Sequence, residues 1–179
     1  MIDRLTLNRW LYRLLLLALA AIVIFVRMLP MDVGIVRWPG PDLLLCLVFV
    51  WVMRRPDYVP ALLAASIFLI TDMLFQRPPG LWPALVVLGL EFLRAREPLS
   101  RDLPFAVEWG LVTGVMVAML LTERLVLGLF MVGQVSFGLS VLRLVMTVAA
   151  YPVVVLVSTR ILGVRKLQPG EADAMRQRA

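Results

Sequence analysis

The uninterrupted apolar run Leu14–Val26, with Arg9 and Arg13 before it and Arg27 after it, constrains this chain more than any other feature. Further apolar runs follow along the chain, and they too end at arginine, proline or glycine. Composition decides what the runs mean. The 179 residues are 61% hydrophobic and 17% charged, with a mean hydropathy of +0.92. A soluble domain is about 45–50% apolar and about 25% charged. A chain this short cannot enclose so much apolar surface in its own core, so the excess faces lipid. Spanning segments are then helices, because a helix satisfies its backbone polar groups internally. The expected fold class is an all-α integral membrane protein.

Turn signals divide the chain into six transmembrane helices. The first is about Trp10–Leu29. It resembles a signal peptide, but Arg27-Met28-Leu29-Pro30 follows where a small-residue cleavage site would stand, so it is read as retained. The others are Leu43–Met53, Tyr58–Phe75, Leu81–Leu93, Phe105–Leu121 and Leu139–Thr159. The second and fourth are short, since crossing about 30 Å of hydrocarbon takes roughly 20 helical residues. Trp38, Trp51 and Trp82, with snorkelling Arg54 or Arg94, extend them at the interfaces; the alternative is that one is re-entrant.

Charge decides between these. With six spans and a cytoplasmic N-terminus, the inner loops and tail carry Arg4, Arg9, Arg13, Arg54, Arg55, Arg94, Arg96, Arg101, Arg160, Arg165, Lys166, Arg176 and Arg178. The outer loops carry only Arg27, Arg37, Arg77 and Arg124. This follows the positive-inside rule, and removing one span would put a basic loop or the basic tail outside. The apolar segment Leu125–Phe137, interrupted by Gly128, Gly133, Gln134 and Ser136, is therefore expected to be interfacial or half-inserted on the outer side. The expected organisation is one helical domain over residues 1–162 and a polar cytoplasmic tail over 163–179, disordered or lying on the membrane surface. The net charge of +6 suits an anionic lipid leaflet, and no nucleic-acid module is visible.

The side chains offer little chemistry. There is no histidine, and the single cysteine, Cys46, reads as a small buried hydrophobe. No phosphate loop, HExxH or CxxC occurs, and the few serines have no suitably spaced base. No enzyme activity, cofactor or metal is expected. Ionisable groups inside spans are candidates for function: Asp72, Glu91, Glu108 and Arg143. Asp72 and Arg143 fall in the outer half and are able to pair there. Glu91 and Glu108 fall near the inner side, within reach of Arg13, Arg94 and Arg96. Such pairs are structural on the plain reading; a partner-binding or conformational role is strongest for Asp72, ahead of a Pro- and Gly-rich turn. Gly110 and Gly114 form a GxxxG, and Ala61 and Ala65 a similar small face, both fitting close helix packing within the protein.

Two stretches carry a family resemblance: Pro41-Asp42-Leu43-Leu44-Leu45 leading to Trp51, and Ile70-Thr71-Asp72-Met73-Leu74 followed by Pro79-Gly80-Leu81. With the chain length and the short second span, they resemble the MreD family of bacterial rod shape-determining membrane proteins. The motifs lie between Pro41 and Phe92, and Pro78-Pro79 departs from the family by stiffening the turn. The resemblance implies an inner-membrane scaffold that binds MreC and works with MreB, RodA and a class B penicillin-binding protein in side-wall peptidoglycan synthesis. It also implies a fold similar to the substrate-binding subunits of energy-coupling-factor vitamin transporters. It supplies no catalytic residues. A vitamin-binding subunit is the alternative function.

Overall fold

The computed structural model describes residues 4–29, 40–100 and 104–164, and among these it is all-helical. Six α-helices follow in order: α1 (Arg4–Met28), α2 (Leu43–Arg54), α3 (Ala61–Leu74), α4 (Leu81–Ser100), α5 (Phe105–Leu129) and α6 (Phe137–Arg160). A single 3-10 turn, Pro56–Tyr58, joins α2 to α3. Three stretches are long and apolar enough to cross a membrane: Leu7–Met28, Phe105–Leu129 and Phe137–Arg160. They mark the chain as a membrane protein. Arg37, Trp38, Arg101 and the tail beyond Val164 lie outside the described residues.

The bundle is built around α2. Every residue from Leu44 to Arg54 is buried. Leu16 and Ala20 of α1, Ile67 and Phe68 of α3, Leu90 and Leu93 of α4, Val112 and Met116 of α5, and Tyr151 and Val155 of α6 belong to the same core. A helix of 12 residues is about 18 Å long, well short of the hydrocarbon thickness. Its neighbours replace lipid around it, so its ends need not reach an interface. Polar groups reach in to meet them instead. At its N-terminus Asp42 accepts a hydrogen bond from the Leu45 backbone N–H at 3.3 Å. At its C-terminus Arg54 is buried and paired.

Helix boundaries differ from the sequence expectation in three places. The segment set apart from Leu125 is not separate at its start: α5 runs on through Leu129. Gly128 costs a helix about 1 kcal/mol, less than unpaired backbone groups cost in an apolar surrounding. The helix stops instead at Met131, which takes a left-handed φ of 51°. There the Val132 N–H donates to the Leu127 carbonyl at 3.0 Å, a Schellman closure. Second, α4 continues past Leu93 to Ser100. Third, α3 starts at Ala61 rather than Tyr58, because Pro60 holds an extended backbone and Pro56 opens a 3-10 turn.

Successive helices alternate in direction, so the charged groups gather at two ends. One end holds Arg27, Asp42, Arg77, Glu123 and Arg143; it is called the Asp42 end below. The other, the Arg54 end, has a floor of rings: Tyr12 stacks on Tyr58 at 4.5 Å, and Trp51 meets Tyr12 edge-on at 6.1 Å. Arg13 donates to the Asp57 carbonyl at 3.2 Å, and Arg94 donates to the Val59 carbonyl.

Candidate functional site

Each end of α2 carries a polar lock. At the Arg54 end, the Arg54 guanidinium donates to Glu108 Oε1 at 2.8 Å, and the Tyr151 hydroxyl donates to the same oxygen at 3.0 Å. All three side chains are buried. The lock joins α2, α5 and α6. Glu108 had been expected to meet Arg13, Arg94 or Arg96; Arg54 takes that place, because α2 lies in the centre and brings its last residue to α5. Glu91 is exposed and pairs with Arg94 three residues on, at 2.5 Å. This is a surface pair of small energetic value.

At the Asp42 end, the Arg143 guanidinium donates to Asp42 Oδ2 at 2.5 Å, and Arg27 lies 3.6 Å from Oδ1. The Asp42 backbone N–H donates to Thr147 Oγ1 at 2.9 Å, and the Thr147 hydroxyl donates to the Arg143 carbonyl at 2.7 Å. Cys46, buried as expected, donates its thiol to the Thr147 carbonyl at 3.3 Å. Burial alone raises the Asp42 carboxyl; Arg143, Arg27 and Arg77 outweigh that and hold it below the ordinary carboxylate range.

The expected pairing of Asp72 with Arg143 is not formed. Asp42, one residue ahead of α2, occupies that position; standing outside the apolar run, it is not among the ionisable groups that the spans single out. The signal was present: an aspartate directly before a helix caps it and stays at the bundle end. Asp72 is fully buried at the C-terminal end of α3, and neither carboxylate oxygen has a hydrogen-bond partner. The backbone N–H of Gly80 and the Arg77 guanidinium are among its neighbours. Gly80 takes φ of 100°, which an L side chain rarely adopts, and so permits the turn of Pro79-Gly80-Leu81.

Beside the Asp42–Arg143 lock lies a cavity of about 210 Å³, lined by Arg77, Trp82, Glu123, Arg124, Ser140 and Arg143 among others. A smaller one of about 60 Å³ shares Trp82, Glu123, Ser140 and Arg143 and reaches Asp42 and Thr147. Arg124 donates to the Val135 and Ser136 carbonyls at 2.6 and 3.1 Å and to Ser140 Oγ, tying the α5–α6 turn into the cavity wall.

Gly110 and Gly114 sit apart from both locks. A Cβ at either would meet nothing within 4 Å, so they do not bring helices together as expected. The close approach belongs to Gly89 of α4, where a Cβ would stand 3.0 Å from Val115 and 3.2 Å from Phe49. Gly110, Gly114 and Ala118 instead line an open apolar groove of about 520 Å³ between α4 and α5, opposite Leu88, Gly89 and Phe92. Among the described residues no group of three or more acidic, cysteine or histidine side chains is placed to hold a metal ion.

Compared with protein-family models, curated proteins and solved structures, the chain matches none.

Proposed function

We propose that this chain is a non-enzymatic scaffold of the bacterial inner membrane, resembling MreD, that binds the single membrane helix of MreC. In this reading the six helices all cross the bilayer, with α2 shielded inside the bundle. The Arg54 end and both termini face the cytoplasm, and the Asp42 end faces outward. RodA, a class B penicillin-binding protein and MreB belong to the larger assembly. The fold relation to vitamin-binding transporter subunits rests on the same resemblance.

The observation that carries the reading is the groove between α4 and α5. Small residues at 110, 114 and 118 lie one helical turn apart and leave the backbone open. Between membrane helices there is little hydrophobic driving force, so association depends on close backbone approach and packing. An apolar helix fits such a surface; a polar or charged ligand does not. The buried ion pairs add to this: among the described residues Arg54–Glu108 and Asp42–Arg143 lie in locks that hold helices together.

The vitamin-binding alternative draws on the cavity at the Asp42 end. Sites for ligands of that kind enclose about 300–1,000 Å³, and this cavity holds about 210 Å³. It ranks second for that reason.

The test is recovery of MreC with a tagged chain from native membranes in mild detergent. Recovery is expected from the unaltered chain, with at least a tenfold loss for Gly114→Leu, whose side chain enters the groove from a Cβ position that has no neighbour within 4 Å. Depletion is expected to round rod-shaped cells. Equal MreC recovery with Gly114→Leu, or no recovery together with unchanged cell shape, refutes the proposal.

A further inference from the structure

We infer that the cavity at the Asp42 end is a binding site for a small anion bearing a phosphate or carboxylate group. The inference does not rest on the α4–α5 groove, which is a separate surface.

Three guanidinium groups, Arg77, Arg124 and Arg143, line this cavity against one carboxylate, Glu123. Their charges are not equally engaged. Arg143 is taken by Asp42. Arg124 donates to two carbonyls and a hydroxyl and closes no ion pair, with the Glu123 carboxylate its opposite charge nearby. Arg77 and Glu123 line the same space with no ion pair closed between them among the described residues. Arg77 feels Arg143 and Arg27 as like charges and Asp42 and Glu123 as opposite ones. Three guanidiniums against one lining carboxylate, with Asp42 engaged by Arg143 and Arg27, leave this volume with a positive excess. Guanidinium forks match the oxygens of carboxylate and phosphate.

The volume suits such a group. A water occupies about 30 Å³ of liquid, so about 210 Å³ admits a phosphate or a small carboxylate with its immediate substituents. Trp82 and Leu81 supply an apolar wall for the remainder.

Gln76 and Met131, left-handed at φ of 52° and 51°, close the C-termini of α3 and α5, and the turns that follow them bring Arg77 and Pro78, and Val132 and Gly133, to the cavity wall.

The anion has two physical sources: a lipid headgroup at the membrane surface, or a soluble molecule. The experiment uses the full chain in nanodiscs of phosphatidylcholine alone. Inorganic phosphate and phosphoethanolamine are titrated while thermal unfolding is followed. In parallel, nanodiscs containing phosphatidylglycerol are examined by native mass spectrometry for retained lipid. A saturable rise in unfolding temperature with the soluble probes assigns the site to a soluble anion; retained phosphatidylglycerol assigns it to a headgroup. Either effect must weaken about tenfold in Arg77→Gln, which breaks no hydrogen bond or ion pair of the described fold, and strengthen in Glu123→Gln. No effect in the unaltered chain in either arm, or an effect equal in Arg77→Gln, overturns the inference.

Discussion

Arg54 and Glu108 are both buried, and their pairing explains why each is tolerated where lipid and apolar side chains surround it. Removing one partner leaves the other charged and desolvated, at a cost of about 3–5 kcal/mol, whereas replacing both by apolar residues of similar size is often near neutral. Thermal unfolding in detergent is therefore expected to show Glu108→Met strongly destabilised and Arg54→Met with Glu108→Met largely restored. A double variant no better than the single would mean that the charges do more than neutralise one another. Asp42 makes a different prediction, because it stands outside the helix core. Its folded-state pKa lies below the ordinary value, so its lock contributes fully above about pH 4 and is lost as pH falls through the depressed value. The acid-side loss of stability is expected to disappear in Asp42→Asn, which should be uniformly weaker at neutral pH. The sequence exposed the ionisable groups but not their partners. Asp72, Glu108 and Arg143 were legible as costly residues inside apolar runs; that Arg143 meets Asp42 and Glu108 meets Arg54 depends on which helix is central, and no single run carries that information.

At the scale of elements, the glycines separate packing from docking. Gly89 holds α4 against α2 and α5, and a Cβ there would crowd Val115, Met119 and Phe49 at 3.0–3.2 Å. Overpacking of this kind costs about 1–3 kcal/mol. Gly89→Leu is expected to lower the unfolding temperature by several degrees, while Gly110→Leu and Gly114→Leu leave it nearly unchanged. Equal destabilisation by all three would mean that the α4–α5 groove is closed in the folded protein. Spacing alone pointed to the wrong glycines. A GxxxG records that one face of a helix is small; it does not say whether another helix lies on it. Gly89 has no such partner in sequence and stood out by no motif. The extension of α5 to Leu129 was hidden for a related reason, since Gly128 reads as a breaker in water and is absorbed in an apolar surrounding.

Among the described residues one short helix, α2, is enclosed by the other five, and that arrangement accounts for the charge pattern seen along the chain. Because successive helices reverse direction, arginines distant in sequence collect at one end: Arg27, Arg77 and Arg143 about Asp42, and Arg13, Arg54 and Arg94 at the other. In the proposed topology the basic excess of the sequence puts the Arg54 end on the cytoplasmic side. Alkaline phosphatase fusions test this directly, since the enzyme is active only outside the cytoplasm. Fusions after Gln76 and after Val132, both at the Asp42 end, are expected to be active, and fusions after Arg55 and after Arg178 inactive. The short α2 makes the second boundary the informative one. If α2 were a re-entrant element rather than a crossing, the fusion after Arg55 would be active and every later sign would invert, leaving the tail fusion active as well. An active fusion after Arg178 would thus remove the six-span topology.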